Sequence, residues 1–259
     1  MFKKYSVVRV SVESKTIKSF YLVPEDNTQI PDYIAGQFVN IKVKMPDIEK
    51  ELIRSYTISD SPNNPYIRIT IKKEPKGKVS SYLHELLEVG DSVMLSKPMG
   101  NFHLSNQNIN PVVLISGGVG ITPMLSIAEY INAYQPNRKV YFIHSSINKE
   151  VRPMVKRLNT LNSENDNFIL SIHHTTPSDD EIVDIDYNFS GYITKEYLIN
   201  HMPAEELEIY LCGPSAFMET MYLYLLGLGI KSQNIFYEYF GGGKKLETLI
   251  KTKNSNNEL

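Results

Sequence analysis

The 259-residue sequence has one cysteine, Cys212, and that single count removes several chemistries at once. An intrachain disulfide needs two thiols, and a thiolate-ligated iron–sulfur cluster or multi-cysteine zinc site needs at least as many, so none of these is expected. Long apolar runs are also missing, which argues against a membrane-spanning helix. The opening Met-Phe-Lys-Lys-Tyr-Ser carries two lysines but no signal-peptide core, because Val7 to Ser11 alternates with polar residues. A cytoplasmic protein is the simplest expectation. There is no basic excess either: net charge is -2, so nucleic acid is not an expected partner. Charge is nonetheless uneven. Residues 1–109 hold 15 Lys/Arg against 12 Asp/Glu, and residues 110–259 hold 12 against 17, as two units with different surfaces would.

What is present divides near residue 107. Val7 to Val12, Ile17 to Val23, Phe38 to Val43 and Ile67 to Lys73 alternate β-branched or aromatic residues with polar ones, the period of half-buried strands. Prolines 24, 31, 46 and 65 with Gly36 punctuate them. One helix fits Ser80 to Glu88, with Tyr82, Leu83, Leu86 and Leu87 expected inward. Closure into an antiparallel β-barrel would remove the exposed edges. After Asn110 the pattern changes to continuous apolar strands: Val112 to Ile115, Val140 to Ile143, Phe168 to Ile172, Glu208 to Leu211 and Ile235 to Tyr239. Helices fit Pro123 to Tyr134, Val151 to Leu161, Lys195 to His201 and Ser215 to Leu226. Such alternation predicts an α/β doubly wound parallel sheet. The expected division is residues 1–107, residues 108–243 and a polar tail over 244–259.

Two stretches carry the chemistry. In Arg54-Ser55-Tyr56-Thr57, Arg54 and Tyr56 fall on one face of a strand, suited to a phosphate and a flat ring. Taken alone, the tetrapeptide fits a surface arginine beside a half-buried tyrosine better. Gly117-Gly118-Val119-Gly120-Ile121-Thr122-Pro123 joins an apolar strand to a helix start, where glycines let backbone approach a pyrophosphate. Pro123 replaces the third glycine of the usual dinucleotide fingerprint, and no Gly-Lys-Ser/Thr follows, so this is no P-loop. A plain tight turn remains the alternative. Gly77, Lys78, Val79 and Ser80 open a short helix, with Ser80 expected as its N-cap. Cys212, Gly213 and Pro214 follow another buried strand, so they fall at the ligand-collecting carboxyl edge of the sheet. A lone buried cysteine is more often a small hydrophobe. His173 and His174 are strand neighbours on opposite faces and cannot chelate one metal together. Gly241-Gly-Gly-Lys-Lys245 lacks the serine or threonine of a phosphate loop.

With Val89-Gly-Asp91, Pro98-Met-Gly-Asn-Phe102, Tyr210-Leu-Cys-Gly-Pro214 and Tyr237-Glu-Tyr-Phe-Gly241, these pieces occur in one order that resembles the ferredoxin reductase superfamily, most closely the reductase domain of flavohaemoglobins. The resemblance implies FAD and NADH or NADPH as cofactors and a flavin-dependent NAD(P)H oxidoreductase. It implies that Arg54, with Ser55 beside it, and the Gly77–Ser80 turn bind the flavin diphosphate, that Tyr56 stacks on the flavin, and that Thr57 bonds the ring nitrogen receiving hydride. Gly118 to Pro123 would hold the dinucleotide. Cys212, Gly213 and Pro214 would flank the nicotinamide, Phe240 would cover the other flavin face, and Glu238 would tune the flavin's charge. The expected acceptor is an unidentified redox protein: a ferredoxin, a haem protein or an oxygenase component. No haem-binding helical domain stands before Met1, so nitric oxide dioxygenation is not expected of the sequence as it stands. Alternatives are an FMN-binding oxygenase reductase, a flavin-binding subunit inert outside its complex, and a siderophore or ferric reductase. The last usually continues with an arginine where this sequence has Ile58-Ser59-Asp60. After the second parallel strand, Glu150 lies between Lys149 and Arg152 and would repel a ribose phosphate, Ser145 and Ser146 suit either donor, and the resemblance to flavohaemoglobins tips the expectation toward NADH.

Overall fold

Alternation in the first hundred residues resolves into six strands in the computed structural model, which describes residues 1–45, 50–105, 109–240 and 246. They are β1 (Phe2–Ser14), β2 (Ile17–Pro24), β3 (Phe38–Val43), β4 (Leu52–Thr57), β5 (Ile67–Lys72) and β6 (Ser92–Ser96), hydrogen-bonded antiparallel in the order β4-β3-β6-β1-β2-β5. The two ends of that order meet through an Ile58–Ile69 bridge and the Ser59 N–H to Arg68 carbonyl bond, closing the barrel. Ile67, Ile69 and Ile71 lie fully buried with Phe20, Ile41 and Leu95 in its interior. Each such side chain contributes about 1.5–3 kcal/mol by leaving water. Strand β6 was not legible as a period-2 pattern. It is short, and what fixes it is the turn at Gly90 (φ +98°), whose N–H and whose neighbour Asp91 bond to Val7.

Helix α1 (Lys78–Leu86) closes one end of the barrel. It starts two residues earlier than expected, which changes two roles. Gly77 occupies the cap position, and Ser80 lies inside the first turn instead of capping it. Leu83 and Leu87 point inward as expected, whereas Leu86 is 59% exposed: the helix ends there, and the chain turns away before that side chain can reach the core.

Residues beyond 109 form β7 (Val112–Gly117), α2 (Ile121–Tyr134), β8 (Val140–Ser146), α3 (Val155–Glu164), β9 (Phe168–His174), β10 (Phe189–Ser190), α4 (Lys195–His201), β11 (Glu208–Cys212), α5 (Ser215–Gly227) and β12 (Ile235–Glu238). The sheet is parallel, in the order β10-β9-β8-β7-β11-β12. Alternate residues feed two cores. Val112, Leu114, Phe142, Tyr210 and Cys212 pack with α2 and α3, while Val113, Ile115, Ile143, Ile209 and Leu211 pack with α4 and α5. Both faces are covered, hence the continuous apolar runs. Helix α2 begins at Ile121, not Pro123, so the proline is its third residue, still within the first turn where no N–H partner is lost. Helix α3 begins at Val155 instead of Val151, because Pro153 and Met154 (φ +60°) interrupt the chain before it. Among the described residues no helix is long and apolar enough to cross a membrane. Pro46, the linker at 106–108 with the expected boundary at 107, residues 241–245 and most of the tail lie outside the described residues.

Candidate cofactor cleft

A cleft of about 880 Å³ separates the barrel from the carboxyl edge of the parallel sheet. Its barrel wall is the end of β4. Arg54 and Tyr56 share a face there, as their spacing requires. The Arg54 side chain is exposed and donates to its neighbour's Ile53 carbonyl at 2.7 Å. Tyr56 is half-buried, and burial pushes its phenol up to about 12, with Arg54 opposing. Ser55 lines the cleft and donates to Asn40 Oδ1 at 2.7 Å. Thr57, the last residue of β4, is buried, and its Oγ1 finds no partner at hydrogen-bond geometry.

The second wall is the entry to α1, where Gly77, Lys78, Val79 and Ser80 all line the cleft. A side chain at Gly77 would bring a Cβ within 2.3 Å of Ser80 Oγ and 2.9 Å of Glu74 Cβ, so only glycine fits. Ser80 Oγ accepts from the Glu74 N–H at 3.1 Å and donates to the Gly77 carbonyl at 3.1 Å. The serine therefore ties this turn shut rather than capping the helix.

The third wall comes from the parallel sheet. Gly118 has φ +54° with open space where a Cβ would stand, while Gly120 packs so tightly that a Cβ would lie 2.4 Å from the Cys212 carbonyl oxygen. Gly213 and Gly117 allow a similar approach against Phe217, and Pro214 packs on Gly117. The ends of β7 and β11 thus touch through glycines, which brings Val119 and Thr122 to the cleft. Ile121 and Pro123 are buried beneath and do not line it. Cys212 is fully buried beside Glu238 on β12, and burial first, then that carboxylate, push its thiol well up. It is a packed thiol behind Glu238 and does not itself line the cleft.

Glu238, Tyr239 and Phe240 complete the lining. Burial pushes the Glu238 carboxyl up to about 7, with the neighbouring Thr57 hydroxyl opposing. The two groups are adjacent but not aligned, since Thr57 Oγ1 and Glu238 Oε2 both fall outside hydrogen-bond geometry. Tyr239 pairs its hydroxyl with Ser215 Oγ at 2.6 Å, and Phe240 is 50% exposed at the mouth. Sequence reasoning missed Phe38, Thr70, Lys72, Glu74, Lys76 and Tyr239 as lining residues. Thr70 and Lys72 had a signal, the alternation of β5, whereas Phe38 and Tyr239 arrive only through the fold.

Phosphate and a flat ring both fit this cleft. Arg54, Lys72, Lys76 and Lys78 outnumber Glu74 and Glu238 along it, and the first turn of α1 adds the N–H end of a helix. The buried, unpartnered Thr57 hydroxyl offers a hydrogen bond that the protein itself does not use. At the end of β8 the cations are differently placed. Lys149 pairs with Asp180 at 2.7 Å, and Arg152 is buried and donates to the Asp186 carbonyl.

The chain matches the oxidoreductase FAD-binding domain family over residues 4–104 and the oxidoreductase NAD-binding domain family over residues 114–222. It is 36% identical over 251 residues to the flavohemoprotein of Bacillus cereus strain ATCC 14579, covering 95% of this chain and 62% of that protein. It therefore spans about three-fifths of the length of the curated relatives it matches. Among solved structures, the FAD/NAD-binding domain of nitric oxide dioxygenase from Vibrio cholerae superposes with a TM-score of 0.84 at 33% identity, covering 93% of this chain and 99% of that one. The flavohemoglobin of Malassezia yamatoensis, solved with bound FAD and heme, gives 0.81 at 28% identity, covering 93% and 60%. With two cofactor domains in this order and a near-complete match to a flavohaemoprotein-type reductase module, the chain belongs to the ferredoxin reductase superfamily of FAD-dependent NAD(P)H oxidoreductases.

Proposed function

We propose that this chain takes electrons from a nicotinamide dinucleotide into FAD held in the cleft and passes them to a separate redox protein. The observation that carries the reading is the convergence of the barrel and the parallel-sheet unit on one cleft lined by four cations, four aromatic rings and an orphaned hydroxyl. When bound, FAD supplies the redox chemistry, accepting hydride as a pair of electrons and releasing electrons singly.

The chain's own residues place and tune. Arg54 offers paired donors to the diphosphate from one side, and Gly77 to Ser80 offer backbone N–H groups from the other. Tyr56 gives the ring a flat apolar support, and Phe240 at the mouth shields the opposite face until a nicotinamide replaces it. Thr57 directs its hydroxyl to the ring nitrogen that takes hydride. Gly118, Val119, Gly120 and Thr122 let the dinucleotide backbone approach the start of α2. Gly213, Pro214 and the small buried Cys212 shape the nicotinamide end without a nucleophilic role. Glu238, set near neutrality, holds or releases a proton at the cleft floor in the working pH range.

A haem protein is the first acceptor to test, because the relatives named flavohemoproteins pair such a module with haem. A ferredoxin or an oxygenase component is the alternative, and ferricyanide stands in for all three in the first assay. Purified protein is mixed with NADH or NADPH and ferricyanide, and the extracted flavin is weighed by mass spectrometry. Turnover with FAD recovered is expected. Bound flavin that neither donor reduces would instead mark a subunit inert on its own.

A further inference from the structure

Beside the cofactor cleft but outside its lining, the barrel and the parallel sheet are also joined by buried charge. Arg68 of β5 stands between two carboxylates, Asp60 of the barrel and Glu129 of α2, with all three side chains only 8% exposed. Arg68 Nε lies 3.3 Å from Asp60 Oδ2, and one terminal nitrogen lies 3.9 Å from Glu129 Oε1. Arg68 Nε has no partner at hydrogen-bond geometry, so the Asp60 contact is an ion pair and not an aligned bond. The guanidinium also donates to the Ser59 carbonyl. From the far side, Arg157 of α3 grips both oxygens of Glu129, with Nε at 2.6 Å from Oε1. A buried hydroxyl doubles the link: Ser126 of α2 donates to the Asp60 carbonyl at 2.7 Å and accepts from the Gly36 N–H at 3.2 Å.

Two elements connect this seam to the cofactor cleft. Strand β5 carries Arg68 in the seam and Lys72 in the cleft, about 13 Å apart at strand spacing. Helix α2 carries Glu129 in the seam, and its first turn holds Thr122 in the cleft, about 10 Å away along the axis. The seam borders a cavity of about 570 Å³, so there the two sheets are not packed solid. Ion contacts bridge the two units at that point, beside the apolar cluster that joins Ala35, Phe102 and Leu104 to α2. A small rotation of α2 and its sheet against β5 at the seam would move Val119, Thr122 and Glu238 together relative to Tyr56 and Thr57 of the barrel.

We infer that Arg68, held between Asp60 and Glu129, is a positioning residue that fixes the angle between the two cofactor domains and hence the approach of nicotinamide to flavin. The inference rests on the proposed function and adds to it a residue far from the reacting atoms. Neither Arg68 nor Glu129 touches the cleft, so neither acts on a cofactor directly.

Glu129→Gln tests it, since the amide keeps the shape and removes the charge that Arg68 and Arg157 share. Ser126→Ala removes the hydroxyl link without disturbing any charge. Both are made in the full chain and examined by stopped flow, following flavin reduction by NADH. Bound flavin per protein and NADH affinity are measured beside it. The expected result is a reduction rate lower by between about tenfold and a hundredfold in Glu129→Gln, and a smaller loss in Ser126→Ala. Flavin content and NADH affinity stay within twofold. A merely structural role predicts the reverse, with flavin or NADH binding lost and the rate at saturation kept. That result, or a wild-type rate in both variants, overturns the inference. Should Glu129→Gln fail to fold, a wild-type rate in Ser126→Ala overturns it and a slowed rate with normal binding supports it. Failure of the wild-type flavin to be reduced by either NADH or NADPH would instead refute the proposed function.

Discussion

Glu238, the last residue of β12, lies beside Thr57, the last residue of β4, so the barrel and the parallel sheet meet at one carboxyl–hydroxyl contact on the cleft floor. Burial dominates that carboxyl and the hydroxyl only partly offsets it, which sets its value near 7 against an ordinary 4.5. The sign of the resulting linkage follows. A carboxyl whose folded value is raised makes the native state bind the extra proton between the two values, so stability falls as pH rises through that window. The difference corresponds to about 3 kcal/mol as an upper limit, because the group is partly exposed. Cofactor-free protein should lose stability relative to Glu238→Gln from about pH 4.5 to about pH 7 and stay at the lower value above it. Thermal melts of both proteins across that range check this, and parallel pH curves would show an unshifted carboxyl.

Arg54→Ala should weaken FAD binding by tens of fold. The guanidinium is exposed at the cleft wall, and a charge-assisted paired contact is worth about 2 kcal/mol or more. The fold should not suffer, since among the described residues the side chain bonds only the adjacent Ile53 carbonyl. Fluorescence titration of stripped protein with FAD measures the loss, and unchanged affinity would remove Arg54 from the site.

Phe240→Ala should bind the oxidised dinucleotide more tightly. The ring is half exposed at the mouth, so its loss leaves the core intact and clears the position a nicotinamide would need. Calorimetric titration with NAD⁺ gives the answer. Equal affinities would return Phe240 to a surface role.

NADH should be preferred over NADPH, and Asp180→Ala should narrow the gap. A ribose phosphate needs an available cation after β8. Lys149 is committed to Asp180, and Arg152 is turned inward onto the Asp186 carbonyl. Removing the Asp180 carboxylate leaves Lys149, among the described residues, only the 3.3 Å contact to the backbone carbonyl there, and the specificity constant for NADPH should rise several-fold by charge attraction alone. Steady-state kinetics with both donors decides it, and a wild-type preference for NADPH would contradict this placement of the cations.

Cys212 should resist alkylation in the folded protein. Its thiol is fully buried and held protonated by burial and by Glu238. Mass spectrometry after iodoacetamide treatment, with and without denaturant, measures this. Rapid labelling of the native protein would mean that the packing behind the cleft opens to solvent.

The amino-acid sequence by itself determined the two architectures and most residues of the cleft. Period-2 alternation in β1, β2, β3 and β5 records a sheet with one face inward, and the unbroken apolar run of β7 records one covered on both faces. Glycines 77, 118 and 120 were legible because a missing side chain is itself a local signal. Tertiary structure alone decided what stands opposite each of these residues. Periodicity encodes which side of an element is buried and is silent about its partner, so the Thr57–Glu238 contact and the Arg68–Glu129 pair had no local trace. The same holds for Lys149, a free cation in the sequence until the chain after β9 brings Asp180 to it. Ser80 read as a cap and Leu86 as core for a related reason. Both depend on the residue at which α1 begins and ends, and the surrounding turn fixes that, not helix propensity.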